Sequence, residues 1–68
     1  MDEKERMDAI EEVAILTGKA REILEELLDE YGNDKIGQAI ETAFVYLGDI
    51  AGNMWAILED RPEDIEEL

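Results

Sequence analysis

A three-residue break, Gly32-Asn33-Asp34, divides the chain into two long segments whose apolar residues recur every three or four positions. This spacing is typical of amphipathic α-helices. Gly32 is expected to take the left-handed conformation that ends a helix, and Asn33 or Asp34 to cap the next one. Because so short a link forces neighbouring helices to run antiparallel, the sequence predicts an all-α helical hairpin in a single domain, residues 1–68.

The first helix is predicted to span about residues 8–31. It begins where Asp8-Ala9-Ile10-Glu11 has the spacing of a capping box. Its main apolar stripe is expected to consist of Ile10, Val13, Thr17, Ala20, Leu24, Leu27 and Tyr31. Ala14 and Leu28 widen this stripe on one side, and Leu16 and Ile23 on the other, so the helix is expected to touch more than one neighbour. The opposite side carries six carboxylates, which we call the acidic face: Glu11, Glu12, Glu22, Glu25, Glu26 and Asp29.

The second helix is predicted over about residues 34–59. Between Ile36 and Leu58 only Glu41 and Asp49 are charged, so the helix is apolar nearly all round, which is typical of an enclosed helix. Its two interior carboxylates, and the absence of a flanking basic cluster, argue against a membrane span. One hairpin cannot cover such a helix on every side. We therefore expect self-association into a helical bundle, as a homodimer or a larger homo-oligomer.

The oligomer interface is expected on one side of this second helix. Gly48, Gly52 and Ala56 form a ridge of small residues that lets another helix approach closely. The alternative is that Gly48 and Gly52 only accommodate a bulky neighbour within the chain. The predicted interface residues are Val45, Gly48, Gly52, Trp55 and Ala56.

The segment 62–68 is short and acidic. Pro62 suits the first position of a helical turn, and Glu63 and Asp64 lie favourably at the positive end of that turn. Ile65 and Leu68 are expected to fold back on the hairpin.

Composition narrows the possible functions. Twenty acidic against six basic residues give a net charge of −14, which disfavours direct binding to nucleic acid or to an anionic membrane. Without cysteine or histidine the chain lacks the commonest nucleophile, general base and metal ligands. We therefore expect a protein that is not an enzyme and uses no cofactor or metal. Its N-terminal residues lack the pattern of a signal peptide, so the expected location is cytoplasmic.

One alternative is a metal-dependent enzyme. Glu25-Glu26-Leu27-Leu28-Asp29, followed by Tyr46-Leu47-Gly48-Asp49, resembles the paired acidic motifs of the all-α nucleotide pyrophosphohydrolases. The resemblance implies a metal site built from the carboxylates of both motifs. It departs from the family at Tyr46, where the second motif has a carboxylate, and at the outward position of the first three acids.

A second alternative is nucleotide sequestration. The run Ile40-Glu41-Thr42-Ala43 and the apolar helix after it are similar to the helical hairpin of phage proteins that capture cyclic-nucleotide immune signals as oligomers. This resemblance implies a bound nucleotide but identifies no binding residue here.

The acidic face supports the main functional hypothesis. Glu22/Glu26 and Glu25/Asp29 are like-charge pairs four residues apart, which weaken a helix by a few tenths of a kcal/mol each. In size, charge and lack of catalytic residues the chain resembles small acidic phage-encoded inhibitors, of the anti-CRISPR or DNA-mimic type. That resemblance implies docking of the acidic face on a basic, nucleic-acid-binding surface of a host protein. A solubilising role for the charge, or a purely structural helical oligomer, are the alternatives.

Overall fold

A computed structural model describes residues 1–67 as two long helices and a short turn. Helix α1 is Glu3–Leu28, helix α2 is Lys35–Leu58, and a 3₁₀ turn follows at Pro62–Asp64. The helices pack along each other in an elongated body of 44 × 21 × 16 Å. The predicted all-α hairpin with a short C-terminal helical turn is confirmed. The expected packing of Leu68 lies outside the described residues.

Helix α1 begins five residues before the predicted start. The Asp2 carboxylate accepts a hydrogen bond from the Glu5 amide at 2.8 Å, and the Asp2 backbone is extended. Asp2 therefore caps the helix, and Asp8 lies within it. The run Asp2-Glu3-Lys4-Glu5 has the same spacing as the run Asp8-Ala9-Ile10-Glu11, and the helix begins at the earlier of the two.

The end of α1 also differs from the expectation. The amides of Asp29 and Glu30 bond to the carbonyls of Glu26 and Leu27, three residues back, at 3.2 and 3.0 Å. Bonds of this type tighten the last turn and end the helix before it reaches Tyr31. No glycine among the described residues has a positive φ, so the predicted left-handed role of Gly32 is wrong.

Helix α2 begins with the cap that the sequence predicts at Asp34. The Asp34 carboxylate accepts a hydrogen bond from the Gly37 amide at 2.7 Å. Gly37 is buried, and a Cβ atom built on it would collide with the carbonyl oxygen of Gly32. The backbone of the link thus folds directly onto the first turn of α2, and this close approach depends on Gly37 having no side chain.

A left-handed residue ends α2. Asp60 has φ 55°, the Arg61 amide bonds to the Ala56 carbonyl at 2.8 Å, and the Asp60 amide bonds to the Ile57 carbonyl at 3.1 Å. These two bonds form a Schellman motif, in which the left-handed position is usually glycine. An L-residue in this conformation costs about 1 to 2 kcal/mol, although aspartate tolerates it better than most.

We expect Asp60→Gly to raise the free energy of unfolding by about 0.5 to 1 kcal/mol, because the strain is relieved while both hydrogen bonds remain. Thermal denaturation followed by circular dichroism measures the change. Asp60→Asn is the matched control: it removes the same charge and keeps the side chain. If both variants are stabilised equally, the gain comes from charge and not from backbone strain.

The C-terminal residues fold back on α2. The Asn53 side-chain amide donates to the Glu66 carbonyl at 2.8 Å, and its oxygen accepts from the Glu66 amide, also at 2.8 Å. Ile65 lines a shallow groove with Met7 and Ile57, so its predicted return to the hairpin is confirmed. This pairing through Asn53, thirteen residues from its partner, was not predicted from the sequence.

The hydrophobic core is small. Among the described apolar residues only Ala14 and Ala56 are buried, at 2% and 5% exposure, and no large side chain is fully enclosed. Ala14 lies on the line of α1 that includes Ile10, Thr17 and Leu24, all of which are half-buried. The single hairpin therefore leaves much of its apolar surface open to solvent. Over residues 1–67, neither helix combines the length and apolar character that crossing a membrane requires.

Candidate protein-binding surfaces

The acidic face lies along α1 and ends at the C-cap residue Asp29, and all six of its carboxylates are exposed. At 1.5 Å per residue the distance along the helix from Glu11 to Asp29 is about 27 Å. This is the axial length of roughly eight phosphate steps on one strand of DNA. Within this length the carboxylates form two groups, Glu11 with Glu12 and the four from Glu22 to Asp29, and the exposed Lys19 lies between the groups.

The charges of the acidic face are not neutralised within the chain. Over the described residues, the one ion pair joins Arg61 Nε and Glu59 Oε2 at 3.8 Å, at the far end of α2. No hydrogen bond uses a side chain of the acidic face in that part of the chain. These carboxylates therefore make no side-chain hydrogen bond or ion pair within the described residues, and they remain available to a cationic partner.

Some residues of the predicted oligomer interface are exposed in the structure, and others are covered by the chain itself. Val45 and Trp55 are exposed, and Gly52 faces open space. Ala56 is buried by its own chain, in the groove that Met7 and Ile65 also line. Gly48 is covered as well, so neither Gly48 nor Ala56 lies on the free surface that the sequence assigned to it.

Arg21 covers Gly48. Its guanidinium carbon lies 4.1 Å from the centre of the Phe44 ring, an arrangement typical of a cation–π interaction. A Cβ atom on Gly48 would come within 2.9 Å of the Arg21 Nε. The glycine therefore makes room for an arginine of the other helix, which is the alternative that the sequence left open for Gly48.

An open groove of about 540 Å³ runs along the first half of α2. The residues that line it come from the outer side of the helix: Gln38, Glu41, Thr42, Val45 and Tyr46. It includes Glu41 and Thr42 of the run that resembles the nucleotide-capturing hairpins. None of the lining residues is positively charged, so the groove offers no cation to a nucleotide phosphate.

The acids of the enzyme-like motifs do not converge. Glu25, Glu26 and Asp29 are exposed on α1, whereas Asp49 is half-buried on α2. Within residues 1–67 no three acidic side chains are arranged so that they would hold a metal ion. A bundle metal site requires carboxylates from facing helices that point inward, and this geometry does not provide them.

Comparison with protein-family models, with curated proteins and with solved structures gives no match for this chain. The surfaces are therefore interpreted from their own geometry and charge.

Proposed function

We propose that the protein is a non-enzymatic protein-binding module that docks its acidic face on a basic surface of a partner protein. The observation that carries the proposal is the row of six exposed carboxylates on one helix, none of which has an ion-pair partner in the described chain. Electrostatic complementarity of this kind speeds association and selects partners by charge. A partner surface that normally binds nucleic acid has both the charge and the length that fit.

The inhibitor role follows from this mode of docking. A carboxylate row in a nucleic-acid-binding groove occupies the cationic side chains that would otherwise contact phosphates. The module therefore acts by competition, as DNA-mimic inhibitors do, and needs no catalytic residue. The like-charge pair Glu22/Glu26 supports this interpretation, because it weakens the isolated helix and gains a counter-charge only in a complex.

The test compares two variants with the same net charge. One carries Glu22→Gln, Glu25→Gln, Glu26→Gln and Asp29→Asn. The control carries four equivalent changes in the C-terminal segment: Glu63→Gln, Asp64→Asn, Glu66→Gln and Glu67→Gln. We expect the first variant to associate at least fivefold more slowly with basic proteins than wild type does, because steering depends on the local charge. The control should associate nearly as fast as wild type.

The probe for this test is the fraction of cellular protein that a DNA column retains and salt releases. Wild-type protein immobilised on a sensor surface should capture members of this fraction, and capture should fall with added salt and with competing DNA. If the two four-charge variants capture the same amount of this fraction, only the net charge of the chain matters and not the position of the charges. The acidic face would then have no docking role.

A further inference from the structure

A second apolar line runs along α1, beside the line that packs against α2. We call it the outer stripe, and its members are spaced by three and four residues over four turns: Val13, Leu16, Ala20, Ile23 and Leu27. Leu16 and Ile23 are 56% and 58% exposed, and Val13 and Leu27 are about two-fifths exposed. The broad apolar face that the sequence predicts for the first helix thus forms two lines, of which the hairpin covers one.

The whole chain exposes more surface than its mass predicts for a compact monomer. The chain exposes 5289 Å². A compact monomer of 7.7 kDa is expected to expose about 4,300 Å². The excess of roughly 1,000 Å² is comparable to the roughly 800 Å² that each partner buries in an ordinary protein–protein interface.

We infer that the outer stripe is the contact surface for a second copy of this chain, so that two hairpins form a four-helix bundle. A partner must bury the outer stripe whenever the chain is folded, because the hairpin alone encloses no large side chain. A second copy meets this requirement without any other partner. Spacing by three and four residues is also the pattern by which identical helices interlock around a twofold axis.

The groove on α2 is a poorer candidate for this contact. Its apolar members, Val45 and Tyr46, are each 53% exposed, but Gln38, Glu41 and Thr42 share the surface with them. The outer stripe contains no polar residue along its length. The cores of interfaces between identical chains are depleted of charge, which favours the outer stripe.

Charge gives this self-association a distinctive salt dependence. Each copy carries −14, and Glu12 and Glu26 lie near the outer edge of the stripe. Two copies therefore repel each other at long range, and added salt screens the repulsion. Self-association is expected to strengthen with salt, whereas docking of the acidic face on a basic partner weakens. The two proposals are independent, and the sign of the salt effect distinguishes their failures.

The first experiment measures mass by sedimentation across a series of protein concentrations. Wild type should show twice the mass of one chain, and Leu16→Gln with Ile23→Gln should raise the dissociation constant at least tenfold. Val45→Gln with Tyr46→Gln is the matched comparison, because its side chains are about equally exposed and lie outside the stripe. Val45 belongs to the interface that the sequence predicts on the second helix, so the two variants compare the two candidate surfaces directly. The variant at Val45 and Tyr46 should dimerise as wild type does.

A cross-linking experiment avoids dependence on the folding of the polar variant. The chain has no cysteine, so Ala20→Cys introduces a single thiol at the middle of the stripe. Ala20 meets its own copy if the two α1 helices run parallel, or if they run antiparallel with the twofold axis at the middle of the stripe, and in either arrangement oxidation should link two chains. Val45→Cys should not link. A wild-type chain that stays monomeric at every salt and concentration, or equal cross-linking at both positions, would overturn the inference.

Discussion

Gly37→Ala is expected to lower the free energy of unfolding by about 2 to 3 kcal/mol, because the added methyl group meets backbone that has no room to move. The obstructing atom is the carbonyl oxygen of Gly32, and the Gly37 amide is fixed by its hydrogen bond to Asp34. Any displacement that relieves the collision must open the link or break the cap of α2. Chemical denaturation at a fixed protein concentration measures the loss, since the proposed self-association would make the apparent stability depend on concentration.

Gly52→Ala makes the same chemical change in the same helix with the opposite expected sign. Nothing lies within 4 Å of a Cβ atom built on Gly52. Alanine should therefore raise the stability by about 0.5 to 1 kcal/mol through its lower backbone entropy in the unfolded chain. If both variants lose stability by a similar amount, the close approach of the link to Gly37 is not the cause.

Asn53→Ala is expected to release the C-terminal segment and to lower the stability by about 1 to 3 kcal/mol, the net contribution of two hydrogen bonds. Both bonds join the Asn53 side chain to the backbone of Glu66. Hydrogen exchange should show loss of protection at the Glu66 amide, with little change in α1. Gln38→Ala is the control, because it removes an exposed amide side chain from the same helix. Retained protection at Glu66 in the Asn53 variant would show that packing of Ile65 is sufficient to hold the segment.

The hairpin was predictable from the sequence because the spacing of the apolar residues and the positions of the helix-capping residues agree. The apolar residues of both helices keep a three-and-four spacing, and Asp34 has a short polar side chain next to the first turn of α2. Pro62 at the start of the 3₁₀ turn is another local signal that the structure follows. Caps and turns of this kind depend on residues within about one helical turn of each other, so they can be recognised from the local sequence alone.

The errors arose where two local signals compete or where the outcome depends on distant residues. Asp2 and Asp8 both precede a glutamate by three positions, and nothing in the spacing ranks one above the other. Gly32 and Asp60 both follow a helix, and it is Asp60 that takes the left-handed conformation. The Asn53 pairing and the contact of Arg21 with Phe44 join residues far apart in sequence. Such contacts depend on how the helices meet and not on either helix alone.

The binding surfaces divide in the same way. The exposure of the acidic face was predictable, since six carboxylates on one side of a helix are not buried without partners. The proposed self-association surface on α1 was harder to predict, because an apolar residue on α1 has the same character whether it faces α2 or solvent. Val13 and Leu27 were assigned to the main apolar stripe, and the structure exposes both. Only the packing of the two helices shows which apolar line of α1 remains exposed to solvent.

The antiparallel course of the helices determines how the molecule responds to mechanical force. Met7 near one end of the chain and Ile65 near the other line the same groove, so both termini emerge at one end of the hairpin. Tension applied between them pulls the helices apart sideways and loads one turn of contacts at a time, with the Asn53–Glu66 pair among the first. Forced unfolding depends on the barrier that such loading meets and not on the total stability. This geometry makes the hairpin yield progressively under tension, from its open end toward the link at Gly37.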